Sequence, residues 1–219
     1  RMKSARWVMA LLPGVFAIVL FGQTIGHPFF YDDLAYVERH PVVRSGNLSF
    51  SAFLQPFSPV APGLFRPVTI LSYVLDAGIG GMQPWIFHAS NILLHAVASI
   101  LVFLLTRKLL QQDIPALAAS LLFAVHPVHT EAVTWVSGRS ELLAAMFVLV
   151  GVLFHLQSVG ARHALPLQLG SALAYFLALS SKEIAVSLPF VLALLPFIHS
   201  RISQKDRTNS ILLLLFVFI

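Results

Sequence analysis

Apolar side chains run through this chain in long blocks, broken by short polar stretches and by one long mixed stretch. Trp7–Ile25 is nineteen mostly apolar residues behind Arg1, Lys3 and Arg6, and it predicts a first membrane-spanning helix. A signal peptide has a similar outline, but this run is long for one and no small-residue cleavage site follows it cleanly. Pro13 and Gly14 predict a kink in the helix. Ile86–Leu105, Ile114–Val128, Leu142–Leu156, Leu165–Leu179 and Ile184–Ile198 predict five further spans. Several of these cores hold about fifteen residues. A bilayer asks for about twenty, so flanking residues or a locally thin membrane must supply the rest. Ile211–Ile219 begins a seventh span, but nine residues do not complete it. The chain therefore reads as incomplete at its C-terminus, or as a short relative of something longer.

The mixed stretch covers residues 26–85 and holds seven of the thirteen prolines. Proline at that density excludes one long helix. The stretch is nonetheless rich in Phe, Tyr and Leu, unlike a disordered linker. Ser51–Phe57 and Val68–Ile79 are apolar enough to lie along a membrane surface as interfacial helices.

Composition agrees with the pattern. The 219 residues are 58% hydrophobic and 11% charged, against about 25% charged in soluble domains. The fold class is an all-α integral membrane protein of about seven transmembrane helices, the last partial, with a long outward first loop containing interfacial helices. Residues 1–219 read as one transmembrane module, with 26–85 as outward loop one and 126–141 as outward loop two. There is no cysteine, which excludes disulfides and thiolate chemistry. The net charge is +5, but no cluster of Lys and Arg interleaved with aromatics suggests a nucleic-acid surface.

Placement of the charges matters more than their sum. If the spans alternate, residues 1–6, 106–113, 157–164 and 199–210 share one side, with nine cations and two anions. The other side receives five cations and seven anions. Short positive loops face the cytoplasm, so the N-terminus is expected there. The long loop, residues 126–141 and the Lys182–Glu183 pair then face outward.

The outward side carries the unusual residues. His126–Glu141 packs two histidines, two glutamates, an arginine and a tryptophan into sixteen positions. Polar groups at a membrane edge cost free energy unless paired or used, so this stretch is a candidate site. A solvated interfacial loop with a Trp anchor is the plainer alternative. His88, Asn91 and His95 follow an i, i+3, i+7 spacing, share one helix face, and should point into the bundle. With Asp32, Asp33, Arg66, His126, His129, Glu131, Arg139, Glu141, Lys182 and Glu183, they form an outward-facing polar set.

Carboxylates, arginines and a lysine beside lipid suit a substrate with an anionic head and a greasy tail, such as a lipid-linked sugar phosphate. A carboxylate serves as general base on an acceptor hydroxyl. Arg and Lys stabilise a departing phosphate through charge-assisted hydrogen bonds. No P-loop or dinucleotide fingerprint is present. Each group also has a structural use. Asp32 and Asp33 suit a helix cap, Arg66–Pro67 an interfacial anchor, and Ser140–Glu141 the opening of a helix. His88, Asn91 and His95 suit hydrogen bonds between helices. His126, His129 and Glu131 have the residue types of a metal site, but Pro127 prevents a regular helical His pair, and no metal or other cofactor is assigned. Asn47-Leu48-Ser49 matches a glycosylation acceptor.

Taken in order, these motifs resemble a known family. They are Phe30-Tyr31-Asp32-Asp33, Phe65-Arg66-Pro67-Val68-Thr69, Phe87-His88 with Asn91 and His95, His126-Pro127-Val128-His129-Thr130-Glu131, Gly138-Arg139-Ser140-Glu141 and Ser181-Lys182-Glu183. Over about residues 28–190 they resemble the membrane half of the transmembrane and tetratricopeptide-repeat O-mannosyltransferases and their bacterial relatives. That family belongs to the C-type, polyprenyl-phosphate-sugar-dependent glycosyltransferases. The resemblance implies a catalytic acidic residue on the first outer loop, here Asp32 or Asp33, and a lipid-phosphate pocket using cations such as Arg66, Arg139 and Lys182. The family's further helices and its repeats are not found in this sequence. A polyprenyl-phosphate-sugar-dependent glycosyltransferase, or its N-terminal part, is the first expectation. Its partners would be membrane lipids, the polyprenyl phosphate sugar and a protein acceptor, and its location a bacterial inner membrane. A non-catalytic subunit of a larger membrane complex is the second. Transport is weaker, because no repeat symmetry and no charge along the span centres is seen.

Overall fold

The computed structural model describes residues 2–46, 54, 56–57, 63–159, 161 and 164–194. Among them every regular element is helical. Helix α1 (Met2–Phe21) runs on into a 3-10 turn at Gly22–Gly26. A short π-turn (Leu34–Glu38) and α2 (Pro41–Ser45) follow, then α3 (Pro67–Gly80), α4 (Pro84–Leu110), α5 (Asp113–Val125) and α6 (His129–Thr134). A 3-10 turn at Val136–Gly138 leads into α7 (Arg139–Ser158), and α8 (Ala164–Leu179) precedes α9 (Glu183–Leu194), whose first residues, Glu183–Ser187, are 3-10.

Helix α4 is the axis of the bundle, with α1, α5, α7 and α3 packed around it. Pro84 starts it at a position where a missing N–H costs nothing. Gln111 ends it in the left-handed region (φ 57°), with its N–H on the Arg107 carbonyl at 2.8 Å. Small residues set how closely the neighbours approach. Ala17 of α1, Ala96 of α4 and Ala124 of α5 meet in one buried contact. A Cβ on Gly14 would lie 3.2 Å from the Ala96 carbonyl oxygen. Without an aqueous driving force between helices, such close backbone contact is what membrane helices have to hold them. On the other flank, Ser171 of α8 donates to the Gly151 carbonyl of α7 at 2.9 Å.

Among the described residues, three helices are long and apolar enough to cross a membrane: Arg6–Gly26, Pro84–Leu110 and Val136–Ser158. Pro67–Gly80, Asp113–Val125, Ala164–Leu179 and Glu183–Leu194 are apolar but shorter. The chain is therefore a helical membrane protein. Within the described residues the first six predicted spans fall on helices, with moved ends. The second extends to 27 residues, and the third, expected to reach Val128, stops at Val125, where Pro127 disfavours helical geometry in the residue before it. Pro13 sits inside an unbroken α1. The seventh run from Ile211, the Asn47-Leu48-Ser49 motif and most of Ser51–Phe57 lie outside the described residues.

The proline-rich first loop is packed rather than loose where it is described. Val37, Val43, Phe57, Ile70, Tyr73, Val74, Phe87 and Val136 form a second core over the bundle end that holds the α4 N-terminus. At the opposite end, Asp113 pairs with Arg6 (3.3 Å) and Arg107 (2.5 Å), tying α1, α4 and α5 together.

Candidate functional site

The site begins with a strained residue. Tyr31 has φ 51°, a left-handed conformation that an aromatic residue rarely adopts. It turns the chain between Phe30 and Asp33, and the two adjacent aspartates diverge. Asp33 is buried: its Oδ1 accepts the Ser137 N–H at 2.7 Å and its Oδ2 the Phe30 N–H at 3.3 Å. Asp32 lines a cavity instead and pairs with no group among the described residues.

Residues 126–141, expected as an outward loop, hold short helical turns. They are pinned from three elements. Besides Asp33, Tyr73 of α3 donates to the Val136 carbonyl at 2.9 Å, and Asn91 of α4 donates to the Trp135 carbonyl at 2.8 Å and the Val133 carbonyl at 3.4 Å. The turn is tight enough that a Cβ on Gly138 would sit 2.5 Å from the Ala132 carbonyl oxygen, so only glycine fits.

That turn sends Arg139 inward. Its side chain is 1% exposed and every arm of the guanidinium is engaged. It pairs with Asp76 at 2.5 Å and donates to Asn91 Oδ1 (2.8 Å), the Phe87 carbonyl (2.7 Å) and the Ser72 carbonyl (3.3 Å), with its charge 4.7 Å above the Tyr73 ring. Arg139 is therefore a strut between α3, α4 and α7. It lies on the floor of an apolar groove of about 390 Å³ formed with Leu75, Ile79, Leu93, Val97 and Leu143.

Arg66 and Lys182 come together because the start of α3 docks on the α8–α9 turn. The Val68 N–H meets the Ser180 carbonyl and the Thr69 hydroxyl the Ser181 carbonyl, each at 3.1 Å. Arg66 then forms a two-pronged pair with Glu183 (3.1 and 2.6 Å), reaches Ser140 Oγ at 3.3 Å, and stacks 4.8 Å over Phe57. Hydrogen bonds from Arg66 hold the Glu183 carboxyl below its usual range, against a smaller opposing effect of burial. Lys182 pairs with Glu141 at 2.6 Å.

A polar cavity of about 120 Å³ lies between these groups, lined by Asp32, Tyr36, Phe57, Arg66, Glu131, Trp135, Ser137, Ser140, Glu141 and Lys182. Of the residues singled out from the sequence, five thus share one hollow: Asp32, Arg66, Glu131, Glu141 and Lys182. Glu183 stands behind Arg66, and Asp33, Asn91 and Arg139 build the frame. The histidines do not line it. His88, Asn91 and His95 all point into the bundle, as their spacing predicts. His95 Nε2 lies 3.0 Å from the Ala124 carbonyl, and His88 meets the His27 ring edge-on. His126 accepts the Val128 N–H at 3.2 Å. His129 stacks with Phe123 and His95, and burial, aided by His95 and His126, pushes its pKa down to about 4. Among the described residues no three His, Asp or Glu side chains are placed to share a metal ion.

Sequence reasoning did not single out Tyr73, Asp76, Ser137 or Tyr36. Asp76 had a readable signal: it is the lone acid in the apolar stretch Val68–Ile79, and a lone acid there calls for a partner.

Neither a family model nor a solved structure matches this chain. It is similar to protein O-mannosyl-transferase Tmtc2 of Drosophila melanogaster, 36% identical over 203 residues that cover 87% of this chain and 22% of that protein. Protein O-mannosyl-transferase Tmtc1 of Drosophila melanogaster is 36% identical over 186 residues, covering 78% of this chain and 20% of that protein. Human protein O-mannosyl-transferase TMTC3 is 44% identical over 96 residues, covering 44% and 10%. The chain spans about a fifth of the length of the first two relatives. On this likeness, the chain belongs to the TMTC family of protein O-mannosyl-transferases.

Proposed function

We propose that this chain forms the outward-facing reaction chamber of a membrane glycosyltransferase that moves a sugar from a polyprenyl phosphate carrier to a hydroxyl of a protein acceptor. The observation that carries this reading is the Asp32 carboxylate, which pairs with no group among the described residues, on the same hollow as Lys182 and Arg66. Asp32 takes the proton from the acceptor hydroxyl as that oxygen bonds to the anomeric carbon. The bond from this carbon to the phosphate oxygen breaks, and the leaving polyprenyl phosphate keeps the electron pair. Lys182 and Arg66 meet the charge that grows on it, stronger there than in open water. General-base catalysis of this kind contributes typically about 10²–10⁴-fold. Asp33, Asn91 and Arg139 position the chamber without touching substrate. No step draws on a metal or other cofactor.

The membrane arrangement belongs to the same proposal. The nine cations of the short loops support a cytoplasmic N-terminus. The short apolar helix α3 serves as the interfacial element, and residues 1–219 act as one module of about seven spans. Placement in a bacterial inner membrane rests on the resemblance to bacterial relatives.

The test is sugar transfer by the full-length protein in proteoliposomes, with Asp32→Asn and Asp33→Asn compared. Asp32→Asn is expected to fold and lose transfer by at least about a hundredfold. Asp33→Asn is expected to lose stability, because Ser137 loses a charged acceptor. Full activity in Asp32→Asn overturns the assignment. No transfer by the wild type itself would favour the competing reading, a non-catalytic packing subunit, which draws support from the glutamates already closing both cations.

A further inference from the structure

We infer that the two ion pairs at the cavity have opposite jobs: Glu141 holds the Lys182 ammonium only until an anionic phosphate displaces it, whereas Glu183 stays on Arg66 and keeps it aimed. This rests on the phosphate-ligand reading above and adds how the ligand enters.

The two pairs are built differently. Glu141 and Lys182 both line the hollow and touch through one carboxylate oxygen and one ammonium. Both carboxylates are open, Glu141 at 52% and Glu183 at 63%, so exposure of the acid does not separate the pairs. The Lys182 pair is the weaker because it has a single contact, and so open a one-contact pair contributes little and exchanges easily. An ammonium is a point charge with rotatable donors, and a phosphate oxygen satisfies it as well as a carboxylate does. Glu141 lies in the first turn of α7, so it remains near that helix's positive end after swinging into solvent.

Glu183 does not line the hollow. It grips Arg66 with two oxygens. Ser140 and the Phe57 ring hold the same guanidinium from other directions. A planar fork held this way is oriented, and removing Glu183 frees it to turn.

Charge makes the exchange necessary. Asp32, Glu131 and Glu141 face the hollow with, among the described residues, only Arg66 and Lys182 to balance them, and Glu183 already offsets Arg66. A phosphate entering with all of these in place meets an excess of negative charge. The departure of Glu141 frees a cation and removes an anion in one movement.

The experiment measures binding of farnesyl monophosphate to the full-length protein in nanodiscs. Glu141→Gln, with Glu141→Ala as a second variant, is expected to bind roughly fivefold tighter than the wild type, the scale of an exposed ion pair. Glu183→Gln is expected to bind more weakly. Unchanged or weaker binding in both Glu141 variants overturns the exchange, and tighter binding in Glu183→Gln overturns the asymmetry. Lys182→Ala separates the two levels of the argument. If it binds like the wild type, or if nothing binds at all, the phosphate reading itself fails along with the exchange. If it loses binding while Glu141→Gln shows no gain, only the exchange fails.

Discussion

Replacing Asp76 with Asn isolates the buried pair on which the chamber rests. The substitution keeps size and shape but removes the countercharge 2.5 Å from Arg139. The Arg139 side chain is 1% exposed and the Asp76 side chain 9%, so neither water nor salt can substitute. Stripping one partner from such a pair costs about 3–5 kcal/mol. At about 2–4 °C per kcal/mol for a chain of this length, the unfolding midpoint should fall by roughly 6–20 °C. The assay is thermal unfolding of the detergent-solubilised protein, followed by Trp fluorescence and checked by size-exclusion. Replacing the pair with apolar residues, Asp76→Leu with Arg139→Met, should recover part of the loss, because a buried ion pair is often matched by hydrophobic packing. Recovery should stay incomplete. Asn91 Oδ1 and the Phe87 carbonyl would lose their donor, at about 1–3 kcal/mol for each buried acceptor left unmet. A midpoint shift below about 3 °C for Asp76→Asn would refute the reasoning. So would a double variant no better than Arg139→Met alone.

Two further outcomes follow from the turn and the histidines around it. Gly138→Ala should lower the unfolding midpoint through a cost of about 1–3 kcal/mol or more, since the new methyl meets the Ala132 backbone and not a flexible side chain. A wild-type midpoint would mean the turn has room. His129 is lowered from 6.5 to about 4, first by burial and then by His95 and His126. Its folded pKa lies below its unfolded one, so the unfolded chain binds more protons between those values. Stability from this group is therefore present above pH 6.5 and is lost as pH falls towards 4. His129→Gln should flatten the midpoint-against-pH curve across that window, and an unchanged slope would show that other groups set it.

Several features were legible in the residues alone. Apolar runs predict helices wherever they are long, because a backbone in lipid must satisfy its own hydrogen bonds. The inward face of His88, Asn91 and His95 follows from helical spacing, and the family likeness from the order of short motifs. Direction and pairing were not legible. Asp32 and Asp33 are equivalent as letters, and only the left-handed Tyr31 and the reach of Ser137 assign one to the cavity and the other to the frame. Arg139 has the residue type of a phosphate ligand, yet a turn that admits only glycine drives it into the bundle against Asp76. Arg66 meets Glu183 across 117 positions, and Asp33 meets Ser137 across 104. Local patterns determined which segments are helical and which side chains are polar, because those depend on near neighbours and on solvent. Which charge met which partner, and therefore which was left facing the hollow, was decided only when distant segments packed.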